Sequence, residues 1–106
     1  APELWATIAM QYDGKDRFYL EALGIGAQGN EDVFFEAWMN LVKDDWDTPA
    51  GRDIIWRSRS KFTPAKLVLF IKDPSIDASE KTRYRRALDF LEGPEKDAAL
   101  LQLLGE

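Results

Sequence analysis

Apolar residues recur along this chain at the spacing of an amphipathic α-helix, in which every third or fourth residue faces the same side. Several separate segments carry apolar or small residues at positions i, i+3, i+4 and i+7. The clearest of them are Trp5, Ile8, Ala9 and Tyr12; Tyr19, Ala22, Leu23 and Gly26; Phe34, Ala37, Trp38 and Leu41; and Tyr84, Ala87, Leu88 and Leu91. No segment sustains the two-residue alternation of a β-strand, so the sequence predicts an all-α protein.

Residues typical of helix starts divide the chain between these segments. Thr48-Pro49, Thr63-Pro64 and Gly93-Pro94 each match an N-cap followed by the first helical residue, where the missing N–H of proline costs little. Asp77 and Glu80 have the spacing of a capping box. Together these signals predict seven short helices. The predicted ranges are 3–12, 15–27, 31–43, 50–59, 64–72, 78–92 and 95–104.

Regular spacing of the helices predicts an internal repeat. The first, third, fifth and seventh helices begin about 30 residues apart, a period typical of stacked helix pairs. Residues 17–25 also align with residues 82–90 without a gap, and the two segments share Tyr, Ala and Leu at equivalent positions. We therefore predict one helical-repeat domain over residues 1–106, built from short antiparallel hairpins stacked in a right-handed α-α superhelix.

Composition restricts the chemistry available to this chain. It has 106 residues with neither cysteine nor histidine, which excludes disulfides, thiol nucleophiles, histidine general bases and thiolate metal sites. Its net charge of −5 does not favour binding to nucleic acid. No apolar run has the length of a membrane span. Because no signal peptide is recognisable and the first residue is not Met, we expect a fragment of a larger multidomain protein.

Three stretches resemble a known family. They are QYDGKDRFYLEALGIG (11–26), WDTPAGRDIIWRSR (46–59), and ALDF with GPEKDAAL (87–90 and 93–100). They are similar to the helical-repeat region of large exported proteins of the planctomycete and verrucomicrobial haem-binding, membrane-bound-dehydrogenase-like group. The resemblance implies HEAT-like hairpins and a periplasmic or exported location. The family's Cys-x-x-Cys-His haem motif has no counterpart here, so haem or redox activity would lie in other parts of the parent protein, and no cofactor is expected in this chain.

Four residues are candidates for a partner-binding surface, because large aromatic side chains beside arginine are common at recognition sites. They are Trp46, Trp56, Arg57 and Arg59. The alternative is that the tryptophans pack within the stack and the arginines pair with nearby acids. The sequence also contains two basic groups, the first with Arg52, Arg57, Arg59 and Lys61 and the second with Arg83, Arg85 and Arg86.

Two further motifs have mainly structural interpretations. The acidic cluster Asp44-Asp45-Trp46-Asp47 lacks the ligand spacing of a calcium loop and is predicted to be a solvated loop with Trp46 turned toward the helices. Gly24 and Gly26 come late in a helix, whereas a phosphate-binding loop has its glycines before one. They are therefore predicted to be C-cap or close-packing positions.

The function predicted from these observations is that of a non-enzymatic scaffold or protein-interaction segment. Its partners would be neighbouring domains of the parent chain or another protein. The final helix is rich in leucine (Leu100, Leu101, Leu103 and Leu104), which predicts that another helical unit covers it or that it mediates self-association. A ligand- or partner-binding module is the alternative. Nucleic-acid binding and carboxylate-based hydrolysis have less support.

Overall fold

The computed structural model describes residues 1–105, and in this range the chain contains seven α-helices and no strand. The all-α prediction is confirmed. The helices are α1 (Pro2–Met10), α2 (Arg17–Gly26), α3 (Glu31–Val42), α4 (Pro49–Arg57), α5 (Thr63–Lys72), α6 (Ala78–Phe90) and α7 (Pro94–Leu104). A short 3-10 helix, Lys43–Trp46, follows α3 where a loop was predicted.

Two predicted caps hold the starts of their helices. The hydroxyl of Thr48 accepts a hydrogen bond from the Gly51 N–H at 3.0 Å, and the carboxylate of Asp77 accepts one from the Glu80 N–H at 3.0 Å. The prediction for Thr63 is wrong by one residue, since α5 begins at Thr63 itself. The preceding Phe62 already has helical backbone angles (φ −82°, ψ −16°), so the chain enters the helix earlier than the Thr-Pro pair indicated.

The described chain divides into two compact units, residues 1–60 and residues 61–105. In the first unit α1 packs on α3, α2 packs on α4, and α1 also contacts α2. The buried apolar residues of this unit include Ala6, Ala9, Leu20, Leu23, Phe35, Trp38, Ile54 and Ile55. The organisation of residues 1–106 as one repeat domain stays a prediction.

Helices α1 and α3 run in the same direction. Near the start of both helices, the rings of Trp5 and Phe34 lie 5.5 Å apart between centroids. At the other end, Met10 lines a surface hollow together with Leu41 and Val42. Residues early in α1 therefore meet residues early in α3, and late residues meet late ones.

Helices α2 and α4 are also parallel. Gly14, just before α2, lies beside Ala50 in the first turn of α4, with 3.5 Å between the two β-carbon positions. At the far end, the guanidinium of Arg57 lies against Gly24. Within residues 1–60, α1 thus packs parallel to α3, and α2 packs parallel to α4.

In the second unit α5 packs against both α6 and α7. The rings of Phe70 and Tyr84 lie 5.1 Å apart across the α5–α6 contact. The buried apolar residues of this unit are Leu67, Val68, Phe70, Ile71, Tyr84, Leu88, Leu91 and Ala99. Leu101 and Leu104 of α7 remain 69% and 82% exposed, so the last helix presents apolar side chains to solvent.

Candidate binding surfaces

Arg57, in the last turn of α4, is held by α2. Its Nε donates to both carboxylate oxygens of Glu21 at 3.2 Å, and its side chain is 16% exposed. The guanidinium lies where a β-carbon at Gly24 would stand. Gly24 is therefore a close-packing position, as predicted. The sequence did not indicate that Arg57 is what packs against it.

Arg59 covers the end of α4. Its guanidinium donates to the backbone carbonyls of Trp56, Arg57 and Ser58 at 3.4, 2.9 and 3.3 Å. The last carbonyls of a helix have no partner within the helix and carry a partial negative charge, which suits a cation. Burial lowers the pKa of Arg59, the nearby positive charge of Arg57 lowers it further, and Glu21 opposes both effects.

Trp56 is half-buried beside a cation from another helix. The guanidinium carbon of Arg17 lies 5.8 Å from the centroid of the indole ring, within the range of a cation–π interaction. Trp56, Arg57 and Arg59 therefore form one cluster at the C-terminal end of α4, in which each side chain has a partner inside residues 1–60.

Trp46 does not belong to this cluster. It ends the 3-10 helix just before α4, and its carbonyl oxygen occupies the space that a β-carbon at Gly51 would need. Nine helical residues separate the two ends of α4, a rise of roughly 12 Å. The structure thus groups three of the four predicted residues and places Trp46 at the opposite end of the helix.

Other charged groups named from the sequence pair locally or face solvent. Arg52 pairs with Asp47 at 2.9 Å, and Arg83 pairs with Glu80 at 3.0 Å. Arg85 and Arg86 are exposed. Asp44 and Asp45 are exposed on the 3-10 helix. Among residues 1–105, no three of the His, Cys, Asp or Glu side chains are grouped closely enough to hold a metal ion.

A groove along the α1–α3 contact is a feature that sequence reasoning missed. It consists of two hollows. The Asp45 hollow, about 200 Å³, is lined by Ala9, Met10, Tyr12, Trp38, Leu41, Val42, Asp45, Thr48, Ala50, Gly51 and Ile54. The Glu3 hollow, about 320 Å³, is lined by Glu3, Ala6, Thr7, Ala37, Asn40 and Leu41.

Leu41 lines both hollows and therefore stands between them. Its side chain is 45% exposed although it lies on the apolar stripe of α3, and Met10 is 52% exposed. The small residues Ala6 and Ala37 line the Glu3 hollow. In the sequence, the only indication of this groove is the pair of alanines. It becomes informative only once α1 and α3 are known to face each other.

Within residues 1–105, no helix is both long and apolar enough to cross a bilayer. No family model, curated protein or solved structure matches this chain. The similarity to the haem-binding, dehydrogenase-like group, and the exported location that it implies, stay predictions.

Proposed function

We propose that this chain is a non-catalytic helical-repeat segment that serves as a scaffold and docking surface for neighbouring helical units or another protein. The observation that carries the proposal is the packing of like helices on like helices within residues 1–60, α1 on α3 and α2 on α4, with each pair parallel. Stacked HEAT-like hairpins require this arrangement, because each repeat covers the apolar face of its neighbour.

Exposed leucines at the last helix support the docking role. A repeat stack that ends without a polar cap leaves apolar side chains in water, where they favour association. Leu101 and Leu104 are three residues apart on α7 and are 69% and 82% exposed. They form the surface that we expect a further helical unit, or a second copy of the chain, to cover.

The alternative function, binding of a partner through Trp46, Trp56, Arg57 and Arg59, has less support. Arg57 is engaged by Glu21, and Arg59 is engaged by three carbonyls of α4. A partner that used these arginines would first have to displace contacts within the chain, which costs free energy.

Light scattering combined with a dye that reports exposed apolar surface tests the docking role. Wild-type protein is expected to associate with rising concentration and to enhance the dye's fluorescence, because α7 is uncovered. The double variant Leu101→Glu/Leu104→Glu is expected to reduce both signals while far-ultraviolet circular dichroism stays unchanged. A wild-type protein that is monomeric at all concentrations and gives the same dye signal as the variant would contradict the proposal.

A matched pair of exposed apolar residues on α2 provides the control. Phe18 and Ile25 are 89% and 61% exposed, close to the values for the two leucines. The variant Phe18→Glu/Ile25→Glu removes a similar apolar area at a different place. Equal loss of association in the two double variants would show nonspecific hydrophobic association instead of docking through α7.

A further inference from the structure

The two hollows of the α1–α3 groove are lined by similar kinds of side chain. Each has an apolar wall that includes Leu41, and each contains one carboxylate, Asp45 in the first and Glu3 in the second. Within residues 1–105, neither of these two carboxylates takes part in an ion pair. The groove therefore offers an apolar surface and an uncompensated negative charge in each of two adjacent places.

The charge of the chain is concentrated in the unit that carries the groove. Residues 1–60 contain six Lys and Arg against eleven Asp and Glu, and residues 61–106 contain eight of each. The whole net charge of −5 thus belongs to residues 1–60. The negative electrostatic potential of this unit attracts cationic partners and repels anionic ones.

The size of the hollows indicates side chains as their occupants. Small-molecule and cofactor pockets usually have volumes of about 300 to 1,000 Å³ and enclose most of the ligand. Here the Asp45 hollow, about 200 Å³, is below this range and the Glu3 hollow, about 320 Å³, is at its lower end; both lie open at the surface, so neither would enclose a ligand. Lysine and arginine combine a long apolar stem with a charged end, which matches an apolar wall beside a carboxylate.

We propose that the α1–α3 groove binds a basic peptide segment of a partner protein, with one Lys or Arg side chain in each hollow and Leu41 between them. The stems lie on the apolar walls, and the cationic ends pair with Asp45 and Glu3. Residues i and i+2 of an extended segment face the same side and are about 6.6 Å apart, so alternate basic residues can straddle a single leucine. This proposal rests on the docking role above and specifies the chemistry of the partner.

Fluorescence anisotropy with a defined probe tests the proposal. The probe is a fluorescein-labelled peptide with lysine at its third and fifth positions and Gly or Ser at the other five. It is expected to bind wild-type protein saturably at low salt and more weakly as salt is raised. The variant Glu3→Gln/Asp45→Asn is expected to weaken binding by about tenfold or more, because each cation loses its partner.

Two altered peptides separate binding in the groove from general attraction to an acidic protein. Norleucine in place of each lysine keeps the stem and removes the charge. Diaminopropionate keeps the charge and shortens the stem. Both substitutions are expected to reduce affinity severalfold, since the hollows use stem and charge together. If the short-stem peptide binds as tightly as the lysine peptide, the apolar walls play no part and the proposal fails.

Asp44→Asn is the matched protein control. Asp44 lies beside Asp45 on the same exposed 3-10 helix but does not line either hollow. At about 0.15 M salt its replacement is expected to leave affinity within about twofold of wild type, because the Asp44 carboxylate pairs with neither lysine and its longer-range attraction is screened. Equal losses for Asp44→Asn and Asp45→Asn, or no saturable binding to the wild type, would overturn the proposal. Neither result bears on α7, which the leucine variants test separately.

Discussion

The guanidinium of Arg57 occupies the space that a β-carbon at Gly24 would fill. Its Cζ overlaps that position, and its Nε donates to Glu21 at 3.2 Å. A glycine in α2 thereby allows an ion pair between α2 and α4 to form against the helix backbone.

Replacing Gly24 with alanine tests this contact. Alanine in place of a helical glycine usually raises the free energy of unfolding by about 0.5 to 1 kcal/mol. For Gly24→Ala we expect that gain to be offset, because the new methyl group displaces Arg57 from Glu21. In an Arg57→Ala background the same substitution should recover the full gain. Urea unfolding of the four proteins measures the difference.

Gly26→Ala is the control for that cycle. The β-carbon position at Gly26 has only ordinary contacts, the nearest being Trp5 at 3.8 Å. We expect it to stabilise the protein by up to about 1 kcal/mol whether or not Arg57 is present. Should Gly24→Ala and Gly26→Ala behave alike in both backgrounds, Arg57 does not occupy the site at Gly24.

Lys43 adopts a backbone conformation that suits glycine. It follows α3 with φ +53°, the one positive φ of a non-glycine residue among residues 1–105. Such angles destabilise an L-residue by roughly 1 to 2 kcal/mol. Glycine avoids this strain, but it loses more backbone entropy on folding, which offsets part of the gain. We expect Lys43→Gly to raise the free energy of unfolding by about 0.5 kcal/mol, measured by urea unfolding.

A second lysine provides the comparison for Lys43. Lys81 lies inside α6, where glycine costs about 1 kcal/mol. Lys81→Gly should therefore destabilise the protein while removing the same charge as Lys43→Gly. Destabilisation by both substitutions would argue against strain at Lys43.

The cap at the start of α6 should make stability depend on pH. The pKa of Asp77 is lowered mainly by the hydrogen bond from the Glu80 N–H and also by the Ser79 hydroxyl. A lowered pKa in the folded state means that the cap contributes fully above the unfolded pKa, near 3.9, and is lost as pH falls through the folded value. Unfolding free energies measured from about pH 6 to about pH 2 should show this loss.

Asp77→Asn isolates this contribution. Asparagine is also a good N-cap but does not titrate. The difference in stability between wild type and Asp77→Asn should therefore be constant above the unfolded pKa and should shift in favour of the variant as the carboxylate becomes protonated. A difference that stays constant down to about pH 2 would mean that Asp77 does not favour its charged form in the folded protein.

The contact between α1 and α3 can be measured directly. Trp5 and Phe34 have ring centroids 5.5 Å apart, and aromatic pairs at such distances contribute about 0.5 to 1.5 kcal/mol beyond burial. We expect a coupling energy of that size in a double-mutant cycle with Trp5→Leu and Phe34→Leu. Phe18, which is 89% exposed, serves as the control partner for Trp5, and that cycle should be additive.

The sequence predicted the number of α-helices and their bounds to within two residues, because periodicity and capping act over one or two turns. Thr48 and Asp77 illustrate this, since each bonds a backbone N–H three residues away. The grouping of Trp56, Arg57 and Arg59 also followed from their closeness in sequence. Their partners Arg17 and Glu21 could not be predicted, because both lie on another helix.

The amino-acid sequence by itself determined that this protein is helical, where its helices begin and end, and that it lacks thiol and imidazole chemistry. Only the tertiary structure decided that Arg57 lies on Gly24 and that Asp45 and Glu3 share a groove on either side of Leu41. The physical reason is that an apolar stripe indicates which face of a helix is buried. It does not indicate which other helix covers that face, or at what axial offset. Contacts between side chains far apart in sequence depend on that choice.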